Sequence, residues 1–320
     1  MTCGRFLLGP YYNETKEKNL EREKLNVLIL AAGLGTRLRP LTEDMPKPLV
    51  PVVDKSILEI QAQRARELGP VRLHANAHYL AEQVIAEGAR LGFEKVWEEP
   101  EILGTAGPLK RIYNEGYRGG LLVMNGDAYC RFDLNKFMEN ARRDRCDVAL
   151  LAVEFPQVNT FRVDGNGHLA GVAGRFGSEQ GKPATFSGVS WYSDAALARI
   201  KDGEFDIREF WKQELAAGHP IYVDCSQMDA TWIDMGSPAG LKAACDARLQ
   251  ELGLNSWAGD HLHSTVQSCV SKVGCSVVQN GVDLPEGVRV ENSILFAGAA
   301  VQAGETVKDE IRGRGFSWKL

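Results

Sequence analysis

V-L-I-L-A-A-G-L-G-T-R-L-R-P-L-T-E-D-M-P-K-P-L-V-P, residues 27–51, is the stretch from which the rest of the chain is read. Four apolar residues, 27–30, predict a short buried strand; Ala31, Ala32, Gly33 and Gly35 then let the backbone turn tightly with no side chains in the way. Such a turn presents successive backbone N–H groups to an anion, which makes Ala32, Gly33, Gly35 and Thr36 a candidate phosphate cradle. Arg37 adds a forked cation for bidentate contact with phosphate oxygens. Lys47, held between Pro46 and Pro48, adds a second cation on a stiffened segment that loses little chain entropy on docking. The competing reading of G-x-G after a strand is an ordinary strand-to-helix turn. The arginine, the spaced prolines and P-K-P in register argue against it.

This stretch resembles the opening motif of the sugar-1-phosphate nucleotidyltransferases, in which G-x-G-T-R-L-x-P-x-T followed by P-K-P holds a nucleoside triphosphate. Gly33, Gly35, Thr36, Arg37, Leu38, Pro40, Thr42, Pro46, Lys47 and Pro48 match it position by position.

A chain of 320 residues is long enough for a large domain with a smaller one beside it. A net charge of −5 with no long Lys/Arg run argues against broad nucleic-acid binding. No apolar run approaches bilayer length and the start lacks the pattern of a signal peptide, so the expected location is the cytoplasm, without a membrane partner. Seven cysteines scattered without C-x-x-C spacing fit reduced, structural thiols, and none is assigned to metal or catalysis. Residues 1–24 form an extension outside the resemblance, with a charged second half that reads as a short helix or an unstructured run.

Beyond P-K-P the apolar period alternates between strand and helix. Helices are predicted over 56–68, with Ser56 as N-cap, and over 79–91 and 105–114; strands over 71–77, 94–97 and 121–125. This β-α alternation implies an α/β fold, a doubly wound and mostly parallel sheet with ligands at the carboxyl ends of its strands. L-L-V-M-N-G-D puts Gly126 and Asp127 at such an end, where the carboxylate either reaches a bound ion or caps the next helix. Further on, 133–144 predicts a helix, 147–154 a strand, and 161–172 a hairpin turning at D-G-N-G. T-F-S-G-V, 185–189, precedes a strand to Tyr192; a helix over 206–217 and a strand over 221–225 follow. In T-W-I-D-M-G-S-P, Asp234 ends a strand and Ser237 caps a helix.

The resemblance adds roles to these positions. It makes Asp127 and Asp234 the ligands of a magnesium ion, distant in sequence and adjacent in space. L-G-T-A-G-P-L, 103–109, is similar to the mannose-1-phosphate guanylyltransferase branch, which implies that Gly104 and Thr105 lie against the nucleobase. Two parallel donors on guanine's Watson–Crick edge suit a carboxylate, and Glu99 or Glu101 stands beside that turn, so GTP is the favoured nucleotide. At the sugar end the pattern departs from the commonest one. No Glu-Lys-Pro follows the hairpin, and Arg175 or Lys182 is left to replace its lysine; F-S-G is closer to N-acetylmuramate-1-phosphate uridylyltransferases. Gly126, Arg175, Ser187 and Gly188 are the sugar-phosphate candidates.

From residue 263 the sequence falls into six-residue units, with Ser264, Val270, Ser276, Val282, Val288, Ile294, Ala300 and Thr306 at their second positions. That period predicts a short left-handed β-helix over 262–310, packed on the catalytic domain of 25–254 or on another subunit. Taken together, Arg37, Lys47 and Asp127 are the expected catalytic residues of a transfer from a nucleoside triphosphate to a sugar-1-phosphate, in a homo-oligomer. Two rivals stand beside it: a catalytically silent regulatory subunit, which should have lost a cation or a metal ligand, and an acyltransferase, which rests on the hexads alone.

Overall fold

A computed structural model describes residues 24–259 and 275–320. Residues 1–23, and with them nearly all of the N-terminal extension, lie outside the described residues, as do the first two hexads of the tail.

The apolar run of the opening motif forms β1 (Leu25–Leu30), and all four of its residues from 27 to 30 are wholly or largely buried. They are continuous rather than alternating because the sheet is covered on both sides. Leu28 packs in one core layer with Val123 and Leu150, while Val27 and Ile29 pack in the other with Met124 and Leu151. The chain continues through helix α1 (Ile57–Arg66), whose N-cap Ser56 accepts from the Glu59 N–H at 3.1 Å, to β2 (Val71–Ala77), α2 (Ala81–Arg90), β3 (Lys95–Glu98), α3 (Gly107–Asn114) and β4 (Leu121–Asn125). In the sheet β1 lies between β2 and β4, parallel to both, with β3 parallel beyond β2. Strand order therefore reverses at β1, and the crevice that opens there faces the carboxyl ends of β1 and β4.

The second half brings β5 (Ala128–Cys130), α4 (Leu134–Asp144), β6 (Val148–Val153), the hairpin β7 (Phe161–Val163) and β8 (Leu169–Val172), then β9 (Lys182–Tyr192). Strand β9 is the departure from a doubly wound order, since it runs antiparallel to both β4 and β6 and joins the two halves of a mostly parallel sheet. It is also longer than the sequence suggests, taking in T-F-S-G-V, because the register shift between Phe186 and Ser190 lets it continue across that turn-like text. Helix α5 (Asp194–Arg199), helix α6 (Ile207–Ala216), β10 (Ile221–Asp224), β11 (Trp232–Asp234) and α7 (Pro238–Glu251), capped by Ser237, complete this unit. Among the described residues no helix is long and apolar enough to cross a membrane.

The tail stacks short parallel strands: β12 (Ser256–Ala258), β13 (Ser276–Val278), β14 (Arg289–Glu291), β15 (Ile294–Leu295), β16 (Thr306–Lys308) and β17 (Glu310–Gly313), closed by antiparallel β18 (Phe316–Lys319). Its sheet is wider than residues 262–310, since it includes β12 and runs on to Lys319. The repeat is one residue short of three hexads. Ser276, Ser293 and Glu310 stand above one another at a spacing of 17, and the Glu310 N–H donates to Ser293 Oγ at 3.1 Å. The hexad frame therefore slips, leaving Ser276, Val282, Val288 and Ile294 inside but Ala300 and Thr306 exposed, with Ala299 and Val307 buried instead. Leu295 and Phe296 are 0% and 4% exposed. Val277, Ile294, Phe296 and Ile311 share a core cluster with Val52, Ile57, Met235 and Leu241, so the stack packs on the α/β unit, beneath the segment that carries Lys47.

His74 on β2 is fully buried between Trp97 and Tyr117, with neither ring nitrogen partnered among the described residues. Burial, helped by the Arg72 charge, pushes its pKa down to about 4. Between pH 6.5 and 4 the unfolded chain takes up a proton that the folded chain refuses, so stability falls with pH in that window, by about 3 kcal/mol at pH 4. Urea unfolding at pH 7 and pH 4.5 should show His74→Phe losing markedly less stability than wild type; equal losses would refute this.

Candidate active site

The turn after β1 is shaped by its neighbours. Gly35 has φ +64°, a conformation glycine adopts without strain, and Thr42 Oγ1 clamps its carbonyl at 2.8 Å. Among the described residues, no group accepts from the N–H of Gly33, Leu34 or Gly35. These donors border a cleft of about 410 Å³, lined also by Ala32, Thr36, Arg37, Lys47, Asn76, Gly104, Thr105, Asn125, Gly126 and Asp127.

Pairing of β5 with β11 sets Asp234 opposite Ala128, and the Met235 N–H donates to the Asp127 carbonyl at 3.3 Å. The two aspartates thus come from adjacent rungs at the cleft, as their spacing in sequence gives no hint. Each is held by one of the motif's cations. Arg37 Nη1 lies 3.1 Å from Asp234 Oδ2, and Lys47 Nζ lies 3.1 Å from Asp127 Oδ2. The guanidinium rests over Gly236, where a Cβ would collide with it, so glycine at that place is what lets the pair form. Lys47 is 7% exposed and Arg37 63%, so the ammonium is enclosed while the guanidinium faces water.

Through Leu30, Thr105 and Asn125 the cleft adjoins a second pocket of about 500 Å³ with an apolar wall that includes Phe161, Phe186 and Trp211. Arg175 lines it, whereas Lys182 opens β9 opposite Val163 and is exposed; of the two candidates, the structure brings Arg175 to the site. Asp206 and Arg208, which sequence reasoning missed, stand there too. Asp206 takes a forked contact from Arg208, Nε to Oδ1 at 2.8 Å and Nη2 to Oδ2 at 2.7 Å, with Arg175 Nη1 at 3.8 Å. The Arg208 guanidinium holds the Asp206 carboxyl below its usual range.

Other candidates sit elsewhere. Glu99 is 1% exposed and its oxygens accept from Asn76 Nδ2 and the Leu103 N–H, so it is not free to read a base edge. Glu101 is exposed and lines neither pocket. Thr105 is on the wall, but its hydroxyl accepts from the Ile207 N–H at 3.0 Å and its own N–H donates to the Phe205 carbonyl at 2.8 Å, tying the G-T-A-G-P turn to α6. The Ser187 hydroxyl is buried in β9 and accepts from the Val189 N–H at 3.2 Å, outside both pockets; Gly188 packs on the Asn125 side chain. Asn76 and Asn125 carried no signal in the sequence, because a lone Asn at a strand end reads as a turn residue.

Away from the cleft, Asp144, Cys146 and His168 gather within 4.8 Å of one another. Burial, with Asp144 adjacent, pushes the Cys146 thiol up to about 12, in keeping with an inert structural cysteine. All five cysteines among the described residues are free.

The nucleotidyl transferase family profile matches residues 26–161. The chain is 27% identical to a UTP–glucose-1-phosphate uridylyltransferase of Synechocystis, over 90% of this chain and 87% of that one, and 26% identical to a mannose-1-phosphate guanylyltransferase of Mycobacterium tuberculosis, over 88% and 82%. A catalytic subunit beta of mannose-1-phosphate guanylyltransferase from Danio rerio is 30% identical over 67% of this chain and 62% of its own. Among solved structures, HddC of Yersinia pseudotuberculosis superposes with a TM-score of 0.57 at 24% identity, over 70% of this chain and 99% of that one, which shows a shared fold. A nucleotide-binding α/β transferase is the class that this sheet and cleft define. More narrowly, residues 26–161 form a nucleotidyl transferase domain, and the relatives that align with most of the chain are sugar-1-phosphate nucleotidyltransferases.

Proposed function

We propose that the chain transfers a nucleotidyl group from GTP to a hexose- or heptose-type sugar-1-phosphate, releasing pyrophosphate and forming a nucleotide-diphospho-sugar. One observation carries this reading: the Arg37–Asp234 and Lys47–Asp127 pairs meet at the mouth of a glycine-lined cleft that opens onto a second pocket with its own cations. An oxygen of the sugar phosphate, already ionised at pH 7, attacks the α-phosphorus; the bond to the β-phosphate oxygen breaks and its electron pair leaves with pyrophosphate. No protein nucleophile is required.

The two substrates bring roughly six negative charges. Against them stand Arg37, Lys47, Arg175 and Arg208, offset by Asp127, Asp234 and Asp206. Two hard carboxylates on adjacent rungs, each nearly half exposed, would hold a Mg²⁺ ion, a hard cation that takes oxygen ligands. Bound there, Mg²⁺ supplies a charge offset for the phosphate oxygens. Lys47 steadies the charge that grows on the α-phosphate, Arg37 holds the phosphates that leave as pyrophosphate, and the loop N–H groups orient the chain of phosphates. Arg175 and Gly126 bound the path of the sugar phosphate.

With Glu99 and Glu101 away from the cleft, support for GTP comes from the two guanylyltransferase relatives and from a complex of HddC with GMP-PN. A uridylyl transfer is the second reading, favoured by the Synechocystis relative, which aligns over most of both chains. The tail is proposed as a left-handed β-helix, in keeping with its parallel strands and inward Ser, Val and Ile side chains. We place the enzyme in the cytoplasm and as a homo-oligomer; exposed Leu252 and Leu254 beside the tail support the latter, and light scattering tests it. Screening triphosphate and sugar-1-phosphate pairs for pyrophosphate release should give the highest kcat/KM with GTP. A higher value with UTP would establish the second reading, and none with any pair would overturn both.

A further inference from the structure

We infer that Asn76 and Glu99 form a buried strut that fixes the distance between the phosphate loop and the G-T-A-G-P loop, and so positions the nucleoside triphosphate between them; this rests on the proposed nucleotide cleft. The relay crosses the carboxyl ends of three neighbouring strands. The Ala31 N–H, first in the phosphate loop, donates to Asn76 Oδ1 at 2.8 Å; Asn76 Nδ2 donates to Glu99 Oε1 at 2.9 Å; the Leu103 N–H, just before Gly104, donates to Glu99 Oε2 at 3.0 Å. Asn76 is 2% exposed and Glu99 1%, so none of these bonds is easily replaced by water. The Glu99 backbone is pinned as well, its N–H donating to the Ala77 carbonyl at 2.7 Å and its carbonyl lying 2.7 Å from His78 Nδ1.

The relay has a fixed polarity. Both of its ends are donors, so the side chain nearest each end must accept, and only an amide beside a carboxylate gives one donor for the link between them. Glu99→Gln must turn its new amino group toward either the Leu103 N–H or Asn76 Nδ2, donor against donor. Asn76→Asp sets two carboxylates face to face. The reciprocal exchange of both restores every pairing: the new carboxylate at position 76 would accept from the Ala31 N–H and from the new amide at position 99, whose oxygen would accept from the Leu103 N–H.

Glu99→Gln should raise the triphosphate KM at least tenfold while the sugar-1-phosphate KM moves less than threefold, and the double variant Asn76→Asp/Glu99→Gln should return the triphosphate KM to within threefold of wild type. Hydrogen exchange, which needs no substrate, should show the Ala31 and Leu103 amides protected in wild type and double variant and fast in Glu99→Gln. Unchanged triphosphate KM in Glu99→Gln, an equal rise in both KM values, or no rescue in the double variant would overturn the strut. Should wild type release no pyrophosphate with any triphosphate, the proposed reaction fails, and the amide exchange alone decides the strut. If Asn76→Asp does not fold, Glu99→Gln and the double variant carry the test.

Discussion

Asp127→Asn should lower kcat by on the order of a thousandfold, a loss of about 4 kcal/mol of transition-state stabilisation, while the protein stays folded. The carboxylate sits where the β4 strand ends and β5 begins, beside Asp234 on the adjacent rung. A neutral amide keeps its size and an acceptor oxygen for Lys47 Nζ, now 3.1 Å from Oδ2, so the local fold survives. What it removes is half of the charge that the two aspartates would offer a divalent ion, and a lone carboxylate is a poor anchor for Mg²⁺. Raising Mg²⁺ should recover part of the lost rate, since the deficit lies in ion affinity as well as in charge. Near-normal turnover at ordinary Mg²⁺ would remove Asp127 from the reaction, and a fall in melting temperature that matched the fall in rate would make it a structural residue only.

How much of this was legible beforehand differs from one residue to the next for physical reasons. β1 and β4 were readable because apolar runs bounded by glycine and polar residues leave few alternatives, β2 because V-R-L-H-A-N-A alternates apolar with polar residues, and Ser56 and Ser237 because an N-cap is a local hydrogen bond written in adjacent residues. Gly35, Arg37 and Lys47 were readable for the same reason, as one continuous stretch builds the turn and carries both cations. The pairing of each cation with an aspartate was not, since Asp234 is brought in by β5 meeting β11 across more than a hundred residues of chain, and Asp127 by β4 lying beside β1. The antiparallel β9 stayed hidden because a strand's direction leaves no trace in its own composition. Glu99 was misplaced for a related reason. Proximity to G-T-A-G-P in sequence suggested a base reader, yet a strand-end side chain points where its strand's pleat sends it, here toward Asn76 of the neighbouring strand. Asp206 and Arg208 came to the second pocket through the docking of the Thr105 turn on α6, a contact between segments a hundred residues apart.

Lys47 and Arg37 carry the same charge, yet their surroundings separate their roles, and replacing each by alanine should show it. The ammonium is enclosed, with its stem against Gly35 and its charge on Asp127, so it cannot follow the substrate and is organised before the reaction begins. A fixed charge shielded from water acts most strongly where charge develops, which places its effect in the transition state. Lys47→Ala should therefore cut kcat by roughly a hundredfold or more and leave the triphosphate KM within about threefold. Lys47→Arg should not restore it, because a broader planar guanidinium does not reproduce the single contact of an enclosed ammonium, 7% exposed, with Asp127. Arg37 is 63% exposed and screened by solvent and salt, so it holds the phosphates in ground state and transition state alike. Arg37→Ala should raise the triphosphate KM about tenfold, with a smaller loss in kcat. Raising ionic strength should then weaken triphosphate binding in wild type more than in Arg37→Ala, and leave the kcat deficit of Lys47→Ala unaltered. Equal effects confined to KM in both variants would show that the two cations only hold substrate, and a kcat loss in Arg37→Ala larger than in Lys47→Ala would reverse the assignment.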